Sequence, residues 1–164
     1  MMKMVRIALA LVGASMMAAC GSSHMMVLTP ATQQVHVEQA DLEYVDSTVG
    51  VPEEALAKTK QYMEDRFFSG DDAVFRRGDN GITVKYGFIG YKQGSRLGRY
   101  FLGALGNGGA NMVLRAEFFD AAGNKLAEVQ SEGEINAGFF GGSSNSAIKK
   151  AVKEIGDYAE AHFR

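Results

Sequence analysis

The chain has 164 residues, 46% of them hydrophobic, with 17 basic and 19 acidic side chains. A formal net charge of −2 argues against a nucleic-acid partner, because such binding rests on neutralising phosphates with an excess of Lys and Arg. A single cysteine rules out a disulfide-stapled fold, and the length suits one domain with its own core rather than two.

The first element in chain order is a nearly unbroken apolar run, Ile7 to Ala19, interrupted only by Gly13 and Ser15 and preceded by Lys3 and Arg6. That is the layout of a secretory signal. At about 13 residues the run falls short of the roughly 20 that a membrane-spanning helix needs. The lone cysteine, Cys20, follows it directly in "SMMAACGSS". An exported thiol without a partner is a liability unless it is consumed. Ala18 and Ala19 before Cys20 resemble the bacterial lipoprotein signal, in which the cysteine becomes the acylated first residue of the mature chain. The departure is Met17, where that signal usually has leucine; an ordinary secretory signal with an incidental cysteine is the other reading. Acylation also makes energetic sense, since a buried methylene is worth about 0.8 kcal/mol and two or more chains anchor stably where one is marginal. Residues 1–19 are therefore expected to be removed as a signal peptide and Cys20 to carry the lipid. Gly21 and Ser22 follow it, with no aspartate in the place that retains lipoproteins at the inner membrane. By resemblance to that sorting rule the protein is expected at the outer membrane, facing the periplasm. Losing Lys3 and Arg6 leaves 15 basic against 19 acidic residues, a net charge of −4.

Residues 20–33 have no sustained period and carry Pro30, which reads as the lipidated cysteine followed by a tether of about 20 Å mean span. Residues 34–164 are expected to form a single domain. In "QVHVEQADLEYVDS", Val35 and Val37 alternate with polar neighbours, then Ala40, Leu42 and Tyr44 alternate on the other parity. The period is that of a strand, with a bulge or break near Glu38 and Gln39. "VPEEALAKTKQYMEDRFFSG" opens with Pro52, Glu53 and Glu54, which suit a helix start, and places Leu56, Met63 and Phe67 on one face before Gly70 ends it.

"AVFRRGDNGITVKYGFIGY" reads as a strand, a reversal at Asp79-Asn80-Gly81, and a second strand with Ile82, Val84, Tyr86 and Phe88 inward. "ANMVLRAEFFDAAGNKLAEVQSEGEI" is the clearest hairpin. Met112, Leu114, Ala116 and Phe118 point one way, "DAAGN" turns the chain, and Glu128, Gln130, Glu132 and Glu134 line a solvated face of the return strand. The last segment puts Ile148, Val152, Ile155 and Ala159 on one stripe of an amphipathic helix. Gly156 within it costs about 1 kcal/mol relative to alanine, which is tolerable if the helix packs closely on the sheet there. Two apolar helix stripes and one apolar sheet face satisfy each other in an α+β two-layer sandwich, with a mostly antiparallel sheet of four to five strands and both helices on one face.

Two glycine-rich segments interrupt this pattern. "GSRLGRYFLGALGNGGA", Gly94 to Ala110, offers backbone N–H groups to an anion, with Arg96 and Arg99 beside it, but lacks a dinucleotide or Walker pattern. The alternative is a long crossing loop whose glycines pack tightly. In "NAGFFGGSS", Phe139 and Phe140 cannot both face inward from an extended chain. One is then exposed as a membrane or partner contact, unless both fold under the start of the last helix. His24, His36 and His162 have no zinc-site spacing, and no nucleophile elbow is present. Glu53-Glu54 and Asp71-Asp72 suit helix-start and turn roles, since adjacent helix residues do not face one site. The expectation is a protein without catalytic residues, cofactor or metal.

Cys20 after its apolar run, "GSRLGRYFLGALGNGGANMVLRAEFFDAAGNKLAEV" and "AIKKAVKEIGDYAEAHF" together resemble the uncharacterised bacterial lipoprotein family called domain of unknown function 4410. The matching positions are Gly94, Arg96, Arg99, the glycines of 103–109, Asp120 and Gly123, within residues 82–163. The resemblance implies an envelope lipoprotein with an α+β domain and brings no established activity. The expected role is a non-enzymatic interaction or envelope-assembly module, with the membrane and an envelope protein as partners. The alternative is a small-ligand lipoprotein with an anion site at Arg96 and Arg99.

Overall fold

A computed structural model describes residues 23–32, 35–91, 112–133 and 144–164. In chain order the elements are β1 (Ser23–Thr29), β2 (Gln39–Tyr44), α1 (Glu53–Glu64) with a π-helical turn (Asp65–Ser69), β3 (Arg76–Arg77), β4 (Ile82–Tyr91), β5 (Met112–Phe119), β6 (Lys125–Gly133) and α2 (Ser144–Phe163). The fold is α+β, with one six-stranded sheet ordered β1-β6-β5-β4-β2-β3. The expected four to five mostly antiparallel strands are corrected on both counts. The sheet is larger, and it is mixed, because β2 runs parallel to both β3 and β4.

The β5–β6 hairpin forms as its alternation dictates. Phe118 pairs with Ala127, Ala116 with Val129 and Leu114 with Ser131, so one face is buried throughout. Its turn is held by Asp120, whose carboxylate accepts from the backbone N–H groups of Ala122 and Asn124 at 2.9 and 2.8 Å, while Gly123 adopts φ +83°. Hydrogen bonds from the Asn124 side chain and backbone hold the Asp120 carboxyl below its usual range.

On β4, Ile82, Val84, Tyr86 and Phe88 are buried as the alternation requires. Burial, followed by the Glu64 carboxylate, pushes the Tyr86 phenol up to about 12, so it stays protonated beside Tyr44. Against this face lie Met63 and Phe67 from the first helical segment and Ile148, Val152, Ile155 and Ala159 from α2, in one continuous core. The buried stripe of α1 is Ala55, Thr59 and Met63, continued by Phe67; Leu56 is only partly buried. Sequence spacing alone could not rank these two neighbouring stripes.

Three further expectations are corrected. Residues 23–29, read as part of a tether, form an edge strand antiparallel to β6, from Ser23↔Gly133 to Thr29↔Glu128. Backbone pairing to a ready strand, not alternation of its own, makes this segment a strand. Val35 to Val37 are not strand; the break near Glu38 is real, and Val37 instead donates its N–H to the Phe163 carbonyl at 2.9 Å. Arg76 to Tyr91 do not form a hairpin. β3 and β4 flank β2 on opposite sides, and Gly78 to Gly81 cross over the start of β2 between them.

Candidate functional site

Cys20, Arg96, Arg99, Phe139 and Phe140 lie outside the described residues, as do the signal segment and Glu134. The residues flanking the two glycine-rich segments are described. Tyr91 pairs with Met112 and Met112 with Gly133, and a Cβ on Gly133 would lie 3.3 Å from that of Ala147. Both segments therefore leave and re-enter the fold at one end of the sheet.

The described surface holds three features, of which sequence reasoning placed only the second, the charged sheet face. The first is a groove of about 500 Å³ between the π-helical turn and α2. The turn closes through the Gly70 N–H, which donates to the Asp65 carbonyl at 2.5 Å. It throws Arg66 across α2 at Gly156. A Cβ at Gly156 would lie 2.4 Å from Arg66 Cγ and 2.6 Å from Nε. The glycine thus makes room for an arginine side chain, not for the sheet as the sequence suggested. Arg66 is only 9% exposed and donates to Asp157 at 3.0 Å, Glu160 at 2.6 Å and the Asp72 carbonyl. Its two terminal nitrogens are committed to this network, which ties the π-helical turn to α2, while its Nε is buried against Gly156 without a hydrogen bond. Asp65, Asp71 and Asp72 line one side of the groove, and Lys149, Lys150 and Lys153 the other.

Partial burial works to raise the Asp157 carboxyl, but hydrogen bonds from Lys153 and Arg66 outweigh it and hold the group below its usual range. Asp120 is lowered too. A depressed carboxyl contributes stability that is fully present above its unfolded pKa, about 3.9, and is lost as pH falls through the lower folded value. Melting temperature is therefore expected to drop on acidification from pH 5 to about pH 2. Asp157→Asn should lower it at pH 7 and flatten part of the acid drop. An unchanged acid profile in that variant would show that the Arg66 network does not sense protonation.

The second feature is the uncovered sheet face. Lys85 pairs with Glu43 at 2.8 Å, Lys125 with Glu128 at 2.9 Å and with Glu117, and Arg115 lies 3.7 Å from Glu117. These opposite charges largely neutralise one another; the Lys85–Glu43 pair, exposed on both sides, is worth about 0–1 kcal/mol, while Glu117 and Glu128 are only partly exposed. The face is a largely neutralised surface whose acids Glu117, Glu128 and Glu132 are only partly exposed.

The third is β1. Met25, Val27 and Leu28 are 38%, 42% and 44% exposed, on a strand whose second edge has no neighbour in the sheet among the described residues. Proteins usually guard such edges with charge or brevity. The other edge obeys: β3 is two arginines long, with Arg77 paired to Glu64 and Asp41. The signal for β1 was present in "MMVL", four consecutive apolar residues that a solvated tether has no use for.

No protein-family model matches the chain, and no curated protein matches it. Among solved structures it is similar to the PelC dodecamer from Paraburkholderia phytofirmans in space group P6, at 12% identity and TM-score 0.49, over 88% of this chain and 99% of that one. A single-substitution form of that dodecamer in space group C2 gives 9% identity and TM-score 0.46 over the same shares. At such identities and scores the likeness transfers neither assembly nor function to this chain.

Proposed function

We propose that this chain is an outer-membrane lipoprotein, of the kind its resemblance to domain of unknown function 4410 implies. It is anchored through an acylated Cys20 and presents a non-enzymatic interaction module to an envelope protein in the periplasm. The observation that carries the reading is the apolar edge of β1, exposed and without a paired strand among the described residues. An open edge binds an extended segment of a partner through main-chain hydrogen bonds, with side chains such as Val27 and Leu28 supplying apolar contact. Arg96, Arg99, Phe139 and Phe140 remain candidate contacts of the same module.

The test compares the native lipidated protein with Cys20→Ser and with a Val27→Lys, Leu28→Lys double variant. Cys20→Ser is expected to leave the membrane fraction and lose fatty-acid labelling. The double variant is expected to stay on the membrane and stay folded, since surface changes usually fall within about 0.5 kcal/mol, yet lose its co-purifying partner. Retention of every partner by the folded double variant would remove β1 from the reading.

A second reading, binding of a small anionic ligand, is favoured by Lys149, Lys150 and Lys153 along the groove. Stabilisation of the protein by millimolar phosphate or citrate, abolished by Lys149→Ala with Lys153→Ala, would support it.

A further inference from the structure

We infer that the domain stands on the lipid surface by one end of its sheet, with β1 to β6 rising away from the membrane and the β5–β6 turn at the far end. The inference rests on the acyl-anchor reading of Cys20 and adds to it an orientation and a contact surface.

The first argument is reach. β1 begins at Ser23, and a chain spans at most about 3.3–3.6 Å per residue. An acylated Cys20 therefore holds the start of β1 within roughly 10 Å of the lipid headgroups. Had residues 21–33 been a free tether, the domain could have stood well clear of the lipid; the strand keeps this end of the sheet close to it.

Register carries this constraint across the sheet. Ser23 pairs with Gly133, Gly133 with Met112, and Met112 with Tyr91. These four ends form a row about 15 Å wide at ordinary strand spacing. Ala147, in the first turn of α2, packs against Gly133, so the helix begins at the same end. The opposite end carries the Asp120–Asn124 turn and Phe163, whose ring packs at a tilt against that of Phe118. β6 has nine residues, which puts that turn about 30 Å above the lipid.

Charge follows the same axis along α2. Lys149, Lys150 and Lys153 precede Glu154, Asp157 and Glu160. Acids at the start and bases at the end would suit the helix dipole better, so the helix itself does not call for this order. These lysines suit anionic headgroups, to which each nearby Lys or Arg is attracted within a Debye length, although Asp65, Asp71 and Asp72 face them across the groove. Among the described residues, Glu132 lies at this end as well, paired with His24 of β1.

The orientation also has a consequence for the open edge. Met25 to Leu28 lie two to five residues beyond Ser23, about 7–17 Å above the start of the strand. The edge of β1 then faces sideways, parallel to the membrane plane, where a partner anchored in the same membrane can lay a strand against it.

The test uses the full lipidated protein in vesicles of phosphatidylethanolamine and phosphatidylglycerol, with a quencher attached to the headgroups. Cys20 has no free thiol once acylated, so one reporter thiol is introduced at a time, as Ser146→Cys beside the start of α2 or Ala122→Cys at the hairpin turn. Both positions are exposed. A fluorophore at position 146 is expected to lose most of its emission to the headgroup quencher, and one at 122 to keep it. Equal quenching at the two positions, or stronger quenching at 122, would overturn the orientation while leaving the anchor intact. Protein recovered from membranes without an acyl mass on Cys20 would overturn anchor and orientation together.

Discussion

Gly81→Ala is expected to destabilise the domain by more than about 4 kcal/mol, a size reached only when a substitution has nowhere to go. A Cβ at Gly81 would lie 1.7 Å from the Gln39 carbonyl oxygen and 2.6 Å from its carbon. Both atoms belong to the backbone of β2, whose Gln39 and Ala40 are paired with Arg76 and Arg77 on one side, while Ala40 also pairs with Ile82 on the other. Neither side can give way without breaking the ladder. The crossing is pinned by the Gly78 N–H donating to the Ala40 carbonyl at 3.0 Å and the Arg76 N–H donating to Glu38 at 2.9 Å.

Two other glycines calibrate the effect. At Gly78 a Cβ would meet the Gln39 side-chain amide at 2.4 Å, and a side chain can rotate, so Gly78→Ala should cost less. At Gly123 nothing lies within 4 Å but φ is +83°, so alanine there should cost about 1–2 kcal/mol, the penalty of the left-handed region. Urea melts of the three variants, made without residues 1–20, should rank them with Gly81 well ahead. Near-equal costs at 81 and 123 would mean that Gly81 serves as an ordinary turn residue, as the sequence first suggests.

That ambiguity shows what was legible and what was not. The β5–β6 hairpin and α2 were readable because their information is local: alternating Met112, Leu114, Ala116 and Phe118, an Asp120-to-Gly123 turn, and an i, i+4 stripe from Ile148 to Ala159. "RRGDNGITV" carries a turn signal as strong, yet a turn does not say whether the next strand returns beside the last or passes to the far side of a third. The answer lies with β2, some 40 residues earlier in the chain, a non-local pairing with no mark in the local pattern. β1 carries no alternation for the same reason, since an edge strand completing an existing ladder needs none; its only mark is the apolar run Met25 to Leu28. The Arg66–Gly156 contact joins positions far apart in sequence, so its glycine read only as a helix weakness. The two glycine-rich segments stood out as departures from what a fold requires, and the structure adds that the described residues flanking both lie at one end of the sheet.

Phe163→Ala is expected to cost about 3–5 kcal/mol, the range for truncating a buried phenylalanine. The prediction runs against position, because residues near a chain end commonly fray. Here the end of α2 is locked. Phe163 is fully buried, with its ring centroid 5.1 Å from that of Phe118 and 6.3 Å from that of Tyr158. Its carbonyl accepts from the Val37 N–H, and the Arg164 carbonyl lies 2.5 Å from His36 Nδ1. The Tyr158 hydroxyl in turn accepts from the Ala31 N–H at 3.1 Å, just beyond β1. One aromatic cluster therefore fastens the chain leaving β1, the chain entering β2 and the last turn of α2. Removing the Phe163 ring leaves a cavity under all three, so amide exchange should quicken at Val37 and Ala31 as global stability falls. Lys149→Ala, an exposed position on the same helix, should change the melt by no more than about 0.5 kcal/mol. A Phe163→Ala protein as stable as the parent would show that the end of α2 contributes little to the core. If only Val37 and Ala31 exchange faster while the melt is unchanged, the cluster fastens those segments without supporting the sheet, and the outer end of β1 is held by its pairing with β6 alone.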